Sequence, residues 1–309
     1  MTRKRTSTSA FGVSGRESHD ASDFYSRFPP LRVTTDSLVT ACDMTDEILI
    51  GDSRDMRDIN ANSVALVVTS PPYFAGKQYE ADLTDGNVPA SYVEYLEMLR
   101  AVFAECSRVL EPGGRIAVNV ANLGRKPYRS LSSDVTRILQ DDLGFLLRGE
   151  VIWQKAQGAS GNCAWGSYAS AANPVLRDIS ERVIVASKER FDRAISRKQR
   201  EQMGLPYENT ITPEEFMEAT LDVWSLRPES AKRVNHPAPF PVELPERFIR
   251  LYTYAGDVVL DPFIGSGTTA VAAIRNDRRF VGYEAEPEYV RIARQRVDEE
   301  LKRLERARR

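Results

Sequence analysis

The sequence predicts an open, mostly parallel α/β sheet with helices on both faces, and three observations carry that prediction. Short apolar runs alternate along the chain with longer stretches whose apolar residues step by three and four. Two of the runs, Val64 to Val68 and Val258 to Leu260, are apolar at every position, as a strand covered on both faces should be, and a turn rich in Pro or Gly follows each. The chain has 309 residues and no internal repeat, enough for one large α/β core or that core plus a small insertion.

Composition narrows the classes further. Lys and Arg number 42 against 44 Asp and Glu, a formal net charge of −2, so any nucleic-acid footprint has to be local. Cys42, Cys106 and Cys163 are odd in number and scattered, which argues against disulfides and a structural zinc, and His19 and His236 are the only histidines. Arg3, Lys4 and Arg5 open the chain, but no apolar run follows and none reaches membrane-spanning length. The expectation is a cytoplasmic protein with no metal and no membrane contact.

Taken in order, residues 1–30 are rich in Ser, Arg, Asp and Gly and read as a flexible arm. Ile48 to Asp52 reads as a short strand ending in an acidic turn, with a helical turn over 53–59. The strand Val64 to Val68 then delivers Thr69-Ser70-Pro71-Pro72-Tyr73 to its carboxyl end, where open α/β sheets bind ligands. Two prolines have fixed φ and no N–H, so this backbone leaves the strand stiff, with carbonyls available to accept from something other than the sheet. With the Ser70 hydroxyl and the Tyr73 ring, the set suits a planar ring bearing an amino group. Residues 74–90 read as a loop at the rim, where Lys77 and Tyr79 are candidates to meet a phosphate or a base, or belong to a plain surface loop.

Ser91 can cap a helix whose Leu96, Leu99, Phe103, Cys106 and Leu110 share one face. Glu111 to Gly114 ends it, and Arg115 to Val120 follows as a buried strand. Helix 131–143 stops at Gly144, and a strand from Phe145 ends at Trp153. Residues 156–178 break the pattern with three glycines, Trp165 and Tyr168; aromatics in a polar loop beside a nucleotide site can stack on bases or fill a gap in DNA. Arg182 to Ala186 returns as a strand. Between Lys188 and Arg200 six basic residues stand against two acidic ones, a local excess that makes Arg197, Lys198 and Arg200 candidate DNA contacts, with a solvated helix face as the plainer reading.

A proline-rich stretch from His236 leads into a helix from about Pro245 to Tyr254. Next come the strand Val258 to Asp261, a glycine turn, and a helix opening at Thr268. Gly265 and Gly267 allow positive φ and close approach of a ligand, and the helix start offers free N–H groups. The strand Arg279 to Tyr283 ends in Glu284, 19 residues after Gly265, where an acid can accept from ribose hydroxyls. Alone, Gly265-x-Gly267-x-x-Ala270 also fits a dinucleotide fingerprint. The last helix, 288–306, repeats Tyr289, Ile292, Ala293, Val297 and Leu301 along a packing face.

Together, Ser70-Pro-Pro-Tyr73 and Asp261-Pro262-Phe263-Ile264-Gly265-Ser266-Gly267-Thr268-Thr269 resemble the paired motifs of the DNA amino-methyltransferases, with the base motif first, as in the circularly permuted beta class. The resemblance spans most of residues 48–296. It implies a doubly wound seven-stranded sheet of the S-adenosylmethionine-dependent methyltransferase type, mostly parallel with an antiparallel terminal strand, and a small target-recognition insertion at 188–234 between core halves 31–187 and 235–309. It assigns S-adenosylmethionine, leaving as S-adenosylhomocysteine, to Asp261, Pro262, Phe263, Gly265, Ser266, Gly267, Thr268 and Glu284, with Asp52 near the adenine and His236 and Phe240 flanking the methionine end. Asp52 read from its own surroundings is equally a helix cap. Ser70, Pro71, Pro72 and Tyr73 would hold the extruded base, with Trp153 as a candidate wall or, equally, a core tryptophan.

The substrate so implied is double-stranded DNA in a bacterium, archaeon or phage, with a restriction endonuclease and a second copy of the chain as candidate partners. Ser at position 70 favours cytosine N4 as the target amine, with adenine N6 as the alternative. RNA or protein N-methylation, a dinucleotide-dependent oxidoreductase, and a non-catalytic DNA-binding protein on the same scaffold are weaker readings. The oxidoreductase would leave residues 70–73 unexplained, and only 39 residues follow Ala270.

Overall fold

In a computed structural model, the residues described are 33–72, 89, 91–123, 127–155, 166–229 and 240–308. Eight strands form one mixed sheet: β1 (Glu47–Ile50), β2 (Val64–Thr69), β3 (Leu110–Val120), β4 (Leu146–Gln154), β5 (Ser180–Ser187), β6 (Val223–Ser225), β7 (Val258–Asp261) and β8 (Arg279–Glu284). Their spatial order is β1-β8-β7-β2-β3-β5-β4-β6. All ladders are parallel except the two made by β5, which pairs antiparallel with β3 and with β4. The sheet has one strand more than the seven the resemblance implied. The addition is β6, in parallel register with β4 (Ile152 opposite Val223) and drawn from 188–234, so that segment continues the core sheet rather than standing apart from it.

Strand residues alternate between two cores, which is why the runs are apolar at every position. Val67, Ile116, Val118, Ile184 and Ala186 face one layer with α1 (Tyr92–Val109) and α2 (Leu131–Arg137, continued by a π-turn over Ile138–Asp142). Leu66, Val68, Ala117, Val183 and Val185 face the other with α5 (Glu243–Tyr252), α6 (Thr268–Arg275) and α7 (Pro287–Arg308). Two short helices, α3 (Arg197–Gln202) and α4 (Pro213–Ala219), each start with a capping box, Ser196 with Gln199 and Thr212 with Glu215. Ser91 caps α1 as expected, its hydroxyl accepting from the Glu94 N–H.

The connection after β2 runs through α1 to β3, and the one after β7 runs through α6 to β8, so the chain leaves these two neighbours in opposite directions. A crevice opens where that happens, at the carboxyl ends of the strands. Both sequence motifs begin there.

Candidate active site

Residue Asp261, the last of β7, is 1 % exposed, and three donors surround it. The Thr69 hydroxyl, at the end of β2, donates to one carboxylate oxygen at 2.6 Å; the Thr269 hydroxyl, in the first turn of α6, donates to the other at 2.7 Å; the Phe263 N–H adds a bond at 3.1 Å. Burial raises the Asp261 pKa to about 6, and the hydroxyl bonds only partly offset this. Asp261 therefore ties the base motif to the glycine turn from inside the protein. A ligand in the crevice would rest on a floor that this residue fixes without being exposed itself.

In the turn, Gly265 and Gly267 adopt φ of 49° and 83°, in the left-handed region. For Gly267 the need is twofold: a Cβ there would lie 3.1 Å from the Ala293 Cβ of α7. Glycine at 267 thus admits a helix, a demand on this position that its motif did not reveal. Arg296, also on α7, donates to the Ser266 carbonyl at 2.5 Å and to its hydroxyl at 2.8 Å, so α7 holds the turn from behind. Glu284 accepts from the Gly265 N–H and the Glu286 N–H, each at 3.0 Å. Burial raises its pKa, against the bonds from Glu286, Gly265 and Ala285. Each of its oxygens has a second lone pair with which to accept a hydroxyl.

The base motif has its own support. Pro71 is buried, and the Tyr95 hydroxyl of α1 donates to the Pro72 carbonyl at 2.8 Å, fixing how the peptide leaves the strand. Beside Ser70, Asn119 of β3 is 1 % exposed; its Nδ2 lies 2.6 Å from a Glu181 oxygen and 3.5 Å from the Ser70 Oγ. An ionised carboxylate only accepts, so the Asn119 atom facing Glu181 has to be the amide nitrogen. Lys155, just beyond β4, pairs with the other Glu181 oxygen. The sequence placed Thr69 and Thr269 inside the motifs without revealing their bonds to Asp261, and it gave no sign of Glu181 or Lys155. Asn119 did leave a signal, being the polar residue in the apolar run of β3.

Other expected residues fall elsewhere. Trp153 is 2 % exposed and its indole N–H donates to the Leu226 carbonyl at 2.9 Å, so it is a core tryptophan and not a wall of the site. Phe240 is buried in the α5–α6 layer. Asp52 accepts from the Arg54 N–H at 2.9 Å and from its guanidinium at 2.7 Å; burial opposes its charge, but Arg54 outweighs burial and lowers its pKa. Residues 53–59 form turns and no helix, so this is a local turn closed on Arg54 and not a helix cap; Asp52 stands one residue past Gly51, whose N–H bonds the Glu284 carbonyl at the end of β8. Tyr73, Lys77, Tyr79 and His236 lie outside the described residues.

The basic stretch 188–200 packs at the opposite end of the sheet, and this is the main correction. Lys188 donates to the Leu110 carbonyl at 2.8 Å, at the amino end of β3. Arg193 pairs with Glu111 and Asp257, and Arg200, 6 % exposed, pairs with Asp257 at 2.9 Å. Burial works against the charge of Arg193, but Asp257 and Glu111 outweigh it and raise its pKa. Arg200 is therefore a structural ion and no DNA contact. Arg197 and Lys198 are exposed, but they project from that same far end.

A doubly wound sheet whose Pro-Pro motif and glycine turn meet at a topological switch belongs to the class of α/β proteins with a nucleotide-type site, and sequence comparison narrows it. The DNA methylase family model, which covers N6 and N4 amino-methylases, matches residues 64–295, and the chain belongs to that family. It is similar to the Type II methyltransferase M.BglI of Bacillus subtilis, 29 % identical, with 80 % of this chain and 84 % of that one covered. It is likewise similar to the DNA adenine methyltransferase YhdJ of Escherichia coli K12, 29 % identical over 81 % and 82 % of the two chains. Among solved structures, a DNA modification methylase of Thermus thermophilus, complexed with S-adenosyl-L-methionine, superposes with a TM-score of 0.63 at 30 % identity, covering 82 % of this chain and 93 % of that one.

Proposed function

We propose that this DNA methylase transfers the methyl group of S-adenosylmethionine to the exocyclic N4 amine of a cytosine flipped out of duplex DNA. The observation that carries the reading is the bond chain Thr69–Asp261–Thr269, which fixes the Ser70-Pro71 acceptors beside the glycine turn. Family membership supports amino-methylation of DNA, and the cofactor of the Thermus structure, 30 % identical, supports S-adenosylmethionine. The residues present fit that cofactor: the Gly265 to Thr268 turn opens a helix start toward the crevice, and Glu284 offers a buried acceptor at the end of the next strand. When bound, the cofactor supplies an electrophilic sulfonium methyl.

The chain's own residues do the rest. An exocyclic amine is a poor nucleophile because its lone pair is delocalised into the ring. Ser70 Oγ and the Pro71 carbonyl, accepting the two amine hydrogens, turn that lone pair out of conjugation and toward the methyl group. With the cofactor bound, the amine would take its methyl group with no covalent bond to the enzyme, and the excess proton would leave to solvent. Inside a duplex the amine cannot reach this geometry, so the base flips out and stacks on Tyr73.

The DNA-facing edge is the carboxyl end of the sheet. There the turn 166–174, closed by a bridge between Gly166 and Pro174, exposes Tyr168 at 75 %, with Ala169 held at φ 48°. An exposed aromatic of this kind fits stacking against DNA beside the vacated position. Ser rather than Asp or Asn at 70 favours cytosine N4. Adenine N6 is the second reading, favoured by the likeness to YhdJ. DNA methylated by the purified enzyme is digested to nucleosides and separated by mass spectrometry. N4-methyldeoxycytidine is the expected product, and N6-methyldeoxyadenosine alone overturns the cytosine assignment.

A further inference from the structure

Resting on that reading of Ser70, we infer that Asn119, Glu181 and Lys155 form a positioning relay that aims the Ser70 hydroxyl at the target amine. They come from three different places: β3, the start of β5, and the residue after β4, all at the carboxyl edge. Asn119 and Glu181 are 1 % and 6 % exposed, so each buried polar atom needs a partner, and burying a carboxylate in an apolar sheet is costly. For the Glu181 carboxylate, the pair with Lys155 and the 2.6 Å bond from Asn119 supply that compensation.

A purely structural role would be served as well by apolar residues of the same volume, which often stabilise a fold more than a buried ion pair does. What those could not supply is direction. The Glu181 carboxylate fixes the rotation of the Asn119 amide, and Nδ2 is thereby turned toward Ser70 Oγ, 3.5 Å away. Donating there, Asn119 fixes the direction of the serine oxygen, and a hydroxyl oxygen can accept more than one hydrogen. The chain of dependence runs from the Lys155 ammonium through Glu181 and Asn119 to Ser70. Of these four residues, only Ser70 touches the base.

The test is a double-mutant cycle on single-turnover methyl transfer with the full chain, S-adenosylmethionine and duplex DNA carrying the target site. Asn119→Ala is expected to lower the rate about 10- to 100-fold while cofactor and DNA affinities stay within about twofold, and to change the rate less than about twofold in the Ser70→Ala background. Glu181→Ala should behave like Asn119→Ala, whereas Glu181→Gln, which keeps an oxygen facing Asn119, should retain most of the rate. Equal losses from Asn119→Ala in both backgrounds overturn the relay and leave the methyltransferase reading intact. A wild-type chain that methylates no DNA overturns that reading instead. Should Asn119→Ala not fold, judged by loss of cofactor binding, Asn119→Leu keeps the volume without the donor and completes the same cycle.

Discussion

At the amino ends of β3 and β7, Arg193 and Arg200 lie buried against Glu111 and Asp257, and the Arg200 guanidinium also caps the Pro206 carbonyl at 2.6 Å. At the carboxyl ends of β7 and β2, Asp261 is just as deeply buried but meets, among the described residues, two neutral hydroxyls and one N–H. One end matches charge with charge and closes. The other holds its carboxylate with neutral donors, at a pKa raised to about 6, directly behind two motifs that face a crevice. A dense run of basic residues thus marks a need for counter-ions, and its partners decide whether it serves the fold or a ligand.

The largest effect is expected at the closed end. Asp257→Ala leaves Arg193 and Arg200 short of a shared counter-ion and is expected to cost about 3 to 5 kcal/mol of stability, read from urea unfolding. The folded fraction should keep its methyl-transfer rate; a matching loss of rate would mean the two ends are coupled. Next in size is Ser70→Ala, expected to slow single-turnover transfer about 100- to 1,000-fold with the melting temperature nearly unchanged. A variant as fast as the parent would remove Ser70 from the chemistry.

A pH series sharpens the contrast further. Because burial raises the Asp261 pKa from its ordinary 3.8 to about 6, the native state holds this proton more tightly than the unfolded chain does. The associated stability is present below about pH 4 and is lost as pH rises through 6, of the order of 3 kcal/mol. Asp261→Asn should flatten that part of the stability profile, and an unchanged profile would contradict it. The smallest effects concern DNA. Tyr168→Ala is expected to weaken DNA binding by about 1 to 3 kcal/mol. Arg197→Ala with Lys198→Ala should leave both the affinity and its salt slope unchanged, whereas each phosphate contact truly lost would lower the slope by about one. A flattened slope in the double variant would bring DNA to the far end of the sheet.

The parts of this molecule legible in its sequence are those where local chemistry forces the backbone. Val64 to Val68 and Val258 to Leu260 are covered on both faces and admit no other reading, and the Gly265–Gly267 turn needs the left-handed conformations it adopts. Arg200 misleads because α3 spans only Arg197–Gln202, too short for a periodicity that would reveal its buried face. β6 is hidden for the same reason: Val223–Ser225 is three residues long and is a strand only because β4 offers it an edge. The Asp261, Asn119 and Glu181 bonds join residues distant in sequence, and no local pattern encodes which buried hydroxyl or amide will meet which acid.

The bond from Thr69 to Asp261 spans 192 positions, and the one from Arg279 to Thr45, beside the β1–β8 ladder, spans 234. Loop closure over such distances costs only logarithmically more entropy, but it slows folding, because many residues must be ordered before those contacts form. Refolding should therefore pair β4 with β5, whose partners lie 26 to 41 residues apart, before the contact that closes the crevice forms. Cofactor binding during refolding would then report the final closure of the chain rather than its collapse.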